Sequence, residues 1–129
     1  MIKLGRNIIE TNKAPKAIGV YSQGIDTGDL IFTSGQIPLN LDGDLVEGDF
    51  KMESIQVIKN IEAILENSGS DLSKIVKITV YLTDLSLFSE LNEVFQIFFK
   101  HDPPARSAVE VKGLPMGVRI EMEAIALKK

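Results

Sequence analysis

Cysteine and tryptophan are absent from all 129 residues, and histidine occurs once, as His101. Without a thiol the chain has no disulfide, no thiolate metal centre and no cysteine nucleophile, and it suits a reducing compartment. A single imidazole excludes a zinc site built on two or three histidines. Basic surplus is also missing. Lys and Arg number 14 against 18 Asp and Glu, a net charge of −4, and this argues against a surface built to neutralise phosphates. No apolar run approaches the roughly 20 residues of a membrane span. Met1 to Lys16 lacks the apolar stretch of a secretory signal, Glu10 and other polar residues interrupting it. The expectation is a soluble cytoplasmic protein that associates with neither membrane nor nucleic acid. Repeats, long linkers and low-complexity tracts are absent too, so residues 1–129 read as one domain.

What is present is hydrophobic periodicity. Tyr21 to Asp26 and Leu30 to Ser34 read as paired strands joined at Thr27-Gly28-Asp29, where Gly28 can take a positive φ. Lys3 to Ile9 is a weaker strand, and Asn40 to Asp44 holds an Asp-Gly turn. Val57, Ile61, Ile64 and Leu65 recur at helical spacing over Phe50 to Asn67, with Asp49 as N-cap and Gly69 past the C-terminus. Lys74 to Leu82 alternates, placing Val76, Ile78, Val80 and Leu82 on one face. Leu85 to Lys100 carries an apolar stripe through Leu87, Phe88, Leu91, Val94, Phe95, Phe98 and Phe99; Asp84 or Ser86 can cap it, and Pro103-Pro104 ends it. Strands at Ala105 to Val111 and Arg119 to Leu127 close the chain. The order is β-β-β-α-β-α-β-β. Two helices on one face of a mixed six-stranded sheet bury both stripes. Ile75, Tyr81, Val109, Val111, Ile125 and Leu127 put apolar residues on the other side as well, which implies that another subunit covers that face.

Five segments, in order and spanning nearly the whole chain, resemble the RidA (YjgF-type) family. They are Ala17-Ile18-Gly19-Val20-Tyr21-Ser22-Gln23-Gly24, Ile31-Phe32-Thr33-Ser34-Gly35-Gln36-Ile37-Pro38, Ile75-Val76-Lys77 running into Leu82-Thr83-Asp84-Leu85, Pro104-Ala105-Arg106-Ser107, and Ile120 to Ala126. The resemblance implies a chorismate-mutase-like α+β fold and a homotrimer with ligand clefts between subunits. It also implies hydrolysis of 2-imino acids, such as those derived from 2-aminoacrylate, to 2-keto acids and ammonia without cofactor or metal. Two positions depart from the commonest pattern: Val20 stands where many members have proline, and Ala108 where many have cysteine.

Spacing alone reads Arg106 as a surface arginine paired with Glu110 or Glu121; the motif around it identifies it with the family's substrate-carboxylate arginine. A guanidinium grips a carboxylate with paired donors, a contact worth about 1.5–3 kcal/mol. Glu121 resembles the glutamate that orients and activates water, although alone Glu121 and Glu123 read as solvated strand carboxylates. Glu123 is expected to be structural, and its parity with Glu121 leaves a two-carboxylate site open. Tyr21 can close over a small ligand, and the Ser34 hydroxyl with nearby backbone N–H groups, Gly35 included, can hold a second carboxylate oxygen. Without the family, Tyr21 and Ser34 are turn and packing residues. Asn92 resembles a position at the cleft edge. The competing functions are an endoribonuclease or translation inhibitor, which one histidine and an acidic chain disfavour, and a non-catalytic regulatory trimer that binds small molecules in the same cleft.

Overall fold

The computed structural model describes residues 5–129. Six strands form one sheet: β1 (Asn7–Ile9), β2 (Gly24–Asp26), β3 (Leu30–Thr33), β4 (Ile75–Leu82), β5 (Ala105–Glu110) and β6 (Ile120–Leu127). Across the sheet they run β1-β2-β3-β6-β4-β5. Every neighbouring pair is antiparallel except β4 with β5. Parallel neighbours need a long crossover, and α2 (Phe88–Phe98) supplies it. The proline pair then releases the chain from helix into β5.

The first helix, α1 (Phe50–Asn67), has the limits that periodicity predicts. Asp49 caps it by accepting the Met52 N–H at 2.9 Å, and Gly69 follows with φ +81°. Of the two candidate caps for the second helix, Asp84 serves: it accepts the Ser86 N–H and begins a single 3-10 turn over Leu85–Leu87, so α2 proper starts at Phe88 rather than Leu85. Val57, Ile58, Ile61, Ile64 and Leu65 of α1 meet Leu91, Val94 and Phe95 of α2 over Ile31, Ile78, Val80, Ile120 and Met122 of the sheet. Full burial of each such side chain stabilises by about 1.5–3 kcal/mol. Both helices lie on one face.

Three expectations change. Tyr21 to Gln23 is loop, because the Tyr21 N–H turns back to the Gly19 carbonyl instead of pairing across. Of the Lys3 to Ile9 strand, Asn7–Ile9 forms, while Lys3 and Leu4 lie outside the described residues. A bulge between Ile75 and Lys77 reverses the parity at the start of β4. Ile75 therefore enters the core at 6% exposure and Val76, assigned inward by alternation, stands 41% exposed. From Ile78 onward the alternation holds. The open face presents Ile8, Phe32, Val109 and Leu127 to solvent.

Candidate functional site

The site begins where β3 leaves its ladder. Thr33 accepts the Ala124 N–H through its side-chain oxygen at 3.0 Å, so the backbone departs from β6 and rejoins it only at Gln36, which exchanges two hydrogen bonds with Met122. Ser34 and Gly35 form the excursion between. The Ser34 N–H donates to the Gln23 carbonyl at 2.8 Å and its hydroxyl donates to the Ser22 carbonyl. Among the described residues the Gly35 N–H has no acceptor. A cavity of about 430 Å³ opens here, lined by Lys16, Tyr21, Ser34, Gly35, Pro115 and Glu121 together with their neighbours.

Glu121 dominates this cavity. A methyl group on Gly35 would stand 1.9 Å from Glu121 Oε2, so the carboxylate occupies the space that a side chain would fill. No hydrogen-bond donor among the described residues reaches it. Burial, and then the charge of Glu123, push its carboxyl above the ordinary glutamate range. Glu123 is itself engaged. Tyr81 donates to its Oε1 at 3.0 Å, and that bond, ahead of burial and the Glu123 charge, raises the phenol.

Two amides frame the walls. Gln23, buried between strand and loop, accepts the Thr11 N–H at 2.7 Å and donates to the Pro15 carbonyl at 2.8 Å, fixing the segment that precedes Tyr21. Asn60 of α1 donates to the carbonyls of Ile37 and Leu39 at 3.3 and 3.0 Å. Tyr21 is 48% exposed, and its hydroxyl accepts the Ile18 N–H at 3.1 Å.

Arg106 lies elsewhere. It pairs in register with Ile78, and Ile78 pairs with Ala124, so all three share the helix face; Glu121 pairs with Tyr81 on the open face. The guanidinium rests 5.1 Å from the Phe88 ring centroid and 4.7 Å from that of Phe95, and donates to Asn92 Oδ1 at 2.8 Å. Neither carboxylate suggested by spacing is its partner. Glu110 accepts the Leu85 N–H instead, and among the described residues Arg106 has no ion pair. Burial alone draws its pKa below the usual arginine value. A cation held by two rings and an amide oxygen, with its remaining donors unused, is prepared for an anion.

The predicted residues thus form two groups. Tyr21, Ser34, Gly35 and Glu121 line one cavity; Arg106 and Asn92 meet beside α2, across the sheet. Sequence reasoning missed the roles of Gln23, Asn60, Phe88 and Phe95. Gln23 stands in a motif segment that marks it, whereas the two phenylalanines look like ordinary core in a helical stripe. Among the described residues no group of three or more His, Cys, Asp or Glu could hold a metal ion, and no helix is long and apolar enough to cross a membrane.

Comparison with known proteins agrees with this architecture. Residues 11–128 match the family described as Endoribonuclease L-PSP. A RutC family protein of Pyrococcus abyssi is 51% identical, with 98% of this chain and 100% of that protein covered. The crystal structure of RidA from an Antarctic Psychrobacter superposes with a TM-score of 0.91 at 45% identity, covering 95% of this chain and 99% of the other. E. coli TdcF with bound serine gives a TM-score of 0.90 at 42% identity, covering 95% and 99%.

Proposed function

The chain belongs to the RutC/Rid (YjgF) family, and from that premise we propose that it is a 2-iminobutanoate/2-iminopropanoate deaminase. It would release ammonia and a 2-keto acid from reactive imines that arise from enamines such as 2-aminoacrylate. The observation that carries this reading is Arg106, a guanidinium oriented by Asn92, Phe88 and Phe95 and left without a carboxylate of its own. A small substrate with a carboxylate fits it. The serine bound by the related E. coli protein, another small molecule with a carboxylate beside nitrogen-bearing carbon, supports that class.

Arg106 and Glu121 occupy opposite faces of one sheet, so one chain does not close a site around one small molecule. β5 is an edge strand, and a second copy covering the open face at that edge would bring its own cavity toward Arg106. A homotrimer built this way carries three clefts. In each, Arg106 of one subunit grips the carboxylate while Tyr21, Ser34, Gly35 and Glu121 of the next face the imine carbon. Ser34 spends its proton on Ser22, so the free Gly35 N–H is the better donor to substrate oxygen.

Hydrolysis then needs only positioned water. Glu121 takes a proton from water as its oxygen adds to the imine carbon, and the nitrogen becomes the amine of a carbinolamine. Glu121 returns that proton to the nitrogen to complete the amine, then carries the carbinolamine's hydroxyl proton to it; the C–N bond breaks, the oxygen becomes the keto group and ammonia leaves. A carboxylate raised by burial is the stronger base, and such acid–base help contributes about 10²–10⁴-fold.

The test generates 2-aminoacrylate with a serine dehydratase and follows pyruvate release. Acceleration over the spontaneous rate is expected, lost in Arg106→Ala with the assembly intact, and reduced in turnover more than in binding by Glu121→Ala. No acceleration by the wild-type protein overturns the reading. The matching family's description makes RNA the necessary control: cleavage that survives Arg106→Ala comes from another site or a contaminant.

A further inference from the structure

The open face holds a second acid beside Glu121 that the deamination steps above leave without a task. Successive residues on one face of a strand lie about 7 Å apart, so Glu121 and Glu123 are neighbours along β6. Tyr81 stands directly opposite Glu121 in register, yet its hydroxyl crosses diagonally to Glu123 Oε1 at 3.0 Å. Glu123 is exposed, and that bond ties its carboxylate to β4 on the same face as Glu121.

We propose that Tyr81 and Glu123 are a positioning pair: Tyr81 holds the Glu123 carboxylate beside Glu121, where its charge adds to the effect of burial on the pH range in which Glu121 exchanges protons. This rests on the deaminase reading for its purpose, but not for its physics. Glu123 does not line the cavity, so it acts through Glu121 and not on substrate. The other groups facing Glu121 are few. Tyr21 and Lys16 come from the loop across the cavity. On β4, Lys77 is turned to Ser107, its ammonium donating at 2.8 Å. In the proposed trimer Arg106 of the adjoining subunit acts oppositely, lowering proton affinity, and it is retained in every variant below. Gly35 contributes by space: the carboxylate that lies over it is kept out of bulk water, where the field of Glu123 would be screened.

The experiment is a carbon-detected NMR titration of the Glu121 carboxyl in the intact assembly, run on the wild type, Glu123→Gln, Glu123→Asp and Tyr81→Phe. Glu123→Gln keeps an acceptor for Tyr81 and removes the charge, so the Glu121 midpoint is expected to fall by roughly 0.5–1 pH unit. Glu123→Asp keeps the charge and should retain most of the wild-type midpoint. Tyr81→Phe should fall between. The acidic limb of the pH–rate profile for deamination should move with the midpoint. An unchanged Glu121 midpoint in Glu123→Gln, or in Tyr81→Phe should the glutamine variant not fold, overturns the proposal. The titration needs no turnover, so a protein without deaminase activity would refute the function while leaving this inference to be judged separately.

Discussion

The two faces of the sheet meet different demands. The helix face is finished within the chain: Ile78, Val80, Ile120 and Met122 are fully buried under α1 and α2. Its buried charges Asp26 and Lys128 pair with each other at 2.7 Å, whereas Arg106, on the edge strand β5, is supported by rings and an amide instead. The open face is unfinished. Phe32, Val109 and Leu127 stand about 40% exposed beside Glu121, Glu123 and Tyr81. A face that mixes exposed apolar residues with a donorless carboxylate is poorly adapted to water, and a second copy would relieve both features. Apart from Arg106, residues on the finished face therefore govern whether the chain folds, and those on the open face govern what it assembles into and, together with Arg106, what it does.

Substitutions can break that division or sharpen it. The largest effect on stability is expected on the closed face. Ile78→Ala should lower unfolding free energy by about 2–5 kcal/mol in denaturant titration, whereas Phe32→Ser on the open face should reduce the assembled mass measured by light scattering. A Phe32→Ser variant that keeps the full mass would show that the open face is not the contact. Next comes Gly35→Ala. Its methyl group displaces the Glu121 carboxylate, and a misplacement of that size costs about 10²-fold in turnover. Full turnover with an unmoved carboxylate would place the reacting carbon elsewhere.

The smallest expected effect is a gain. Burial and Glu123 raise the Glu121 carboxyl in the folded chain, so the folded state holds this proton over a pH window in which the unfolded chain has released it. Stability falls as pH rises through that window, and above it the ionised carboxylate is a net cost. Glu121→Gln cannot ionise. It should melt slightly higher than the wild type at neutral pH and equally at acid pH, while losing turnover. A lower melting midpoint at neutral pH would mean that the anion has a donor, from an adjoining subunit, that one chain does not show.

The limits of α1, the helix caps and the order of elements along the chain were legible because each depends on neighbours in sequence. The 3.6-residue spacing of Val57, Ile61 and Ile64 and the carboxylate of Asp49 act over one or two turns. The bulge at Ile75–Lys77 was not legible: alternation assumes an unbroken ladder, and only the pairing partner β6 imposes the extra residue. Of the site, the motifs marked Arg106, Glu121, Tyr21, Ser34, Gly35 and Asn92. They did not reveal that a glutamate and an arginine 15 positions apart face away from each other, since parity must be counted through two different partners of β4.

By itself the sequence determined the elements and their order, the residues able to bury them, and the chemistry left available once thiols, paired imidazoles and basic surplus were missing. Only the tertiary structure decided how those groups meet. Register gave Arg106 to the helix face and Glu121 to the open one; the missing side chain of Gly35 admitted a carboxylate; and Tyr81 tied Glu123 down beside it. Local propensity acts along the chain, while a site is made across it by strands whose register is set in packing.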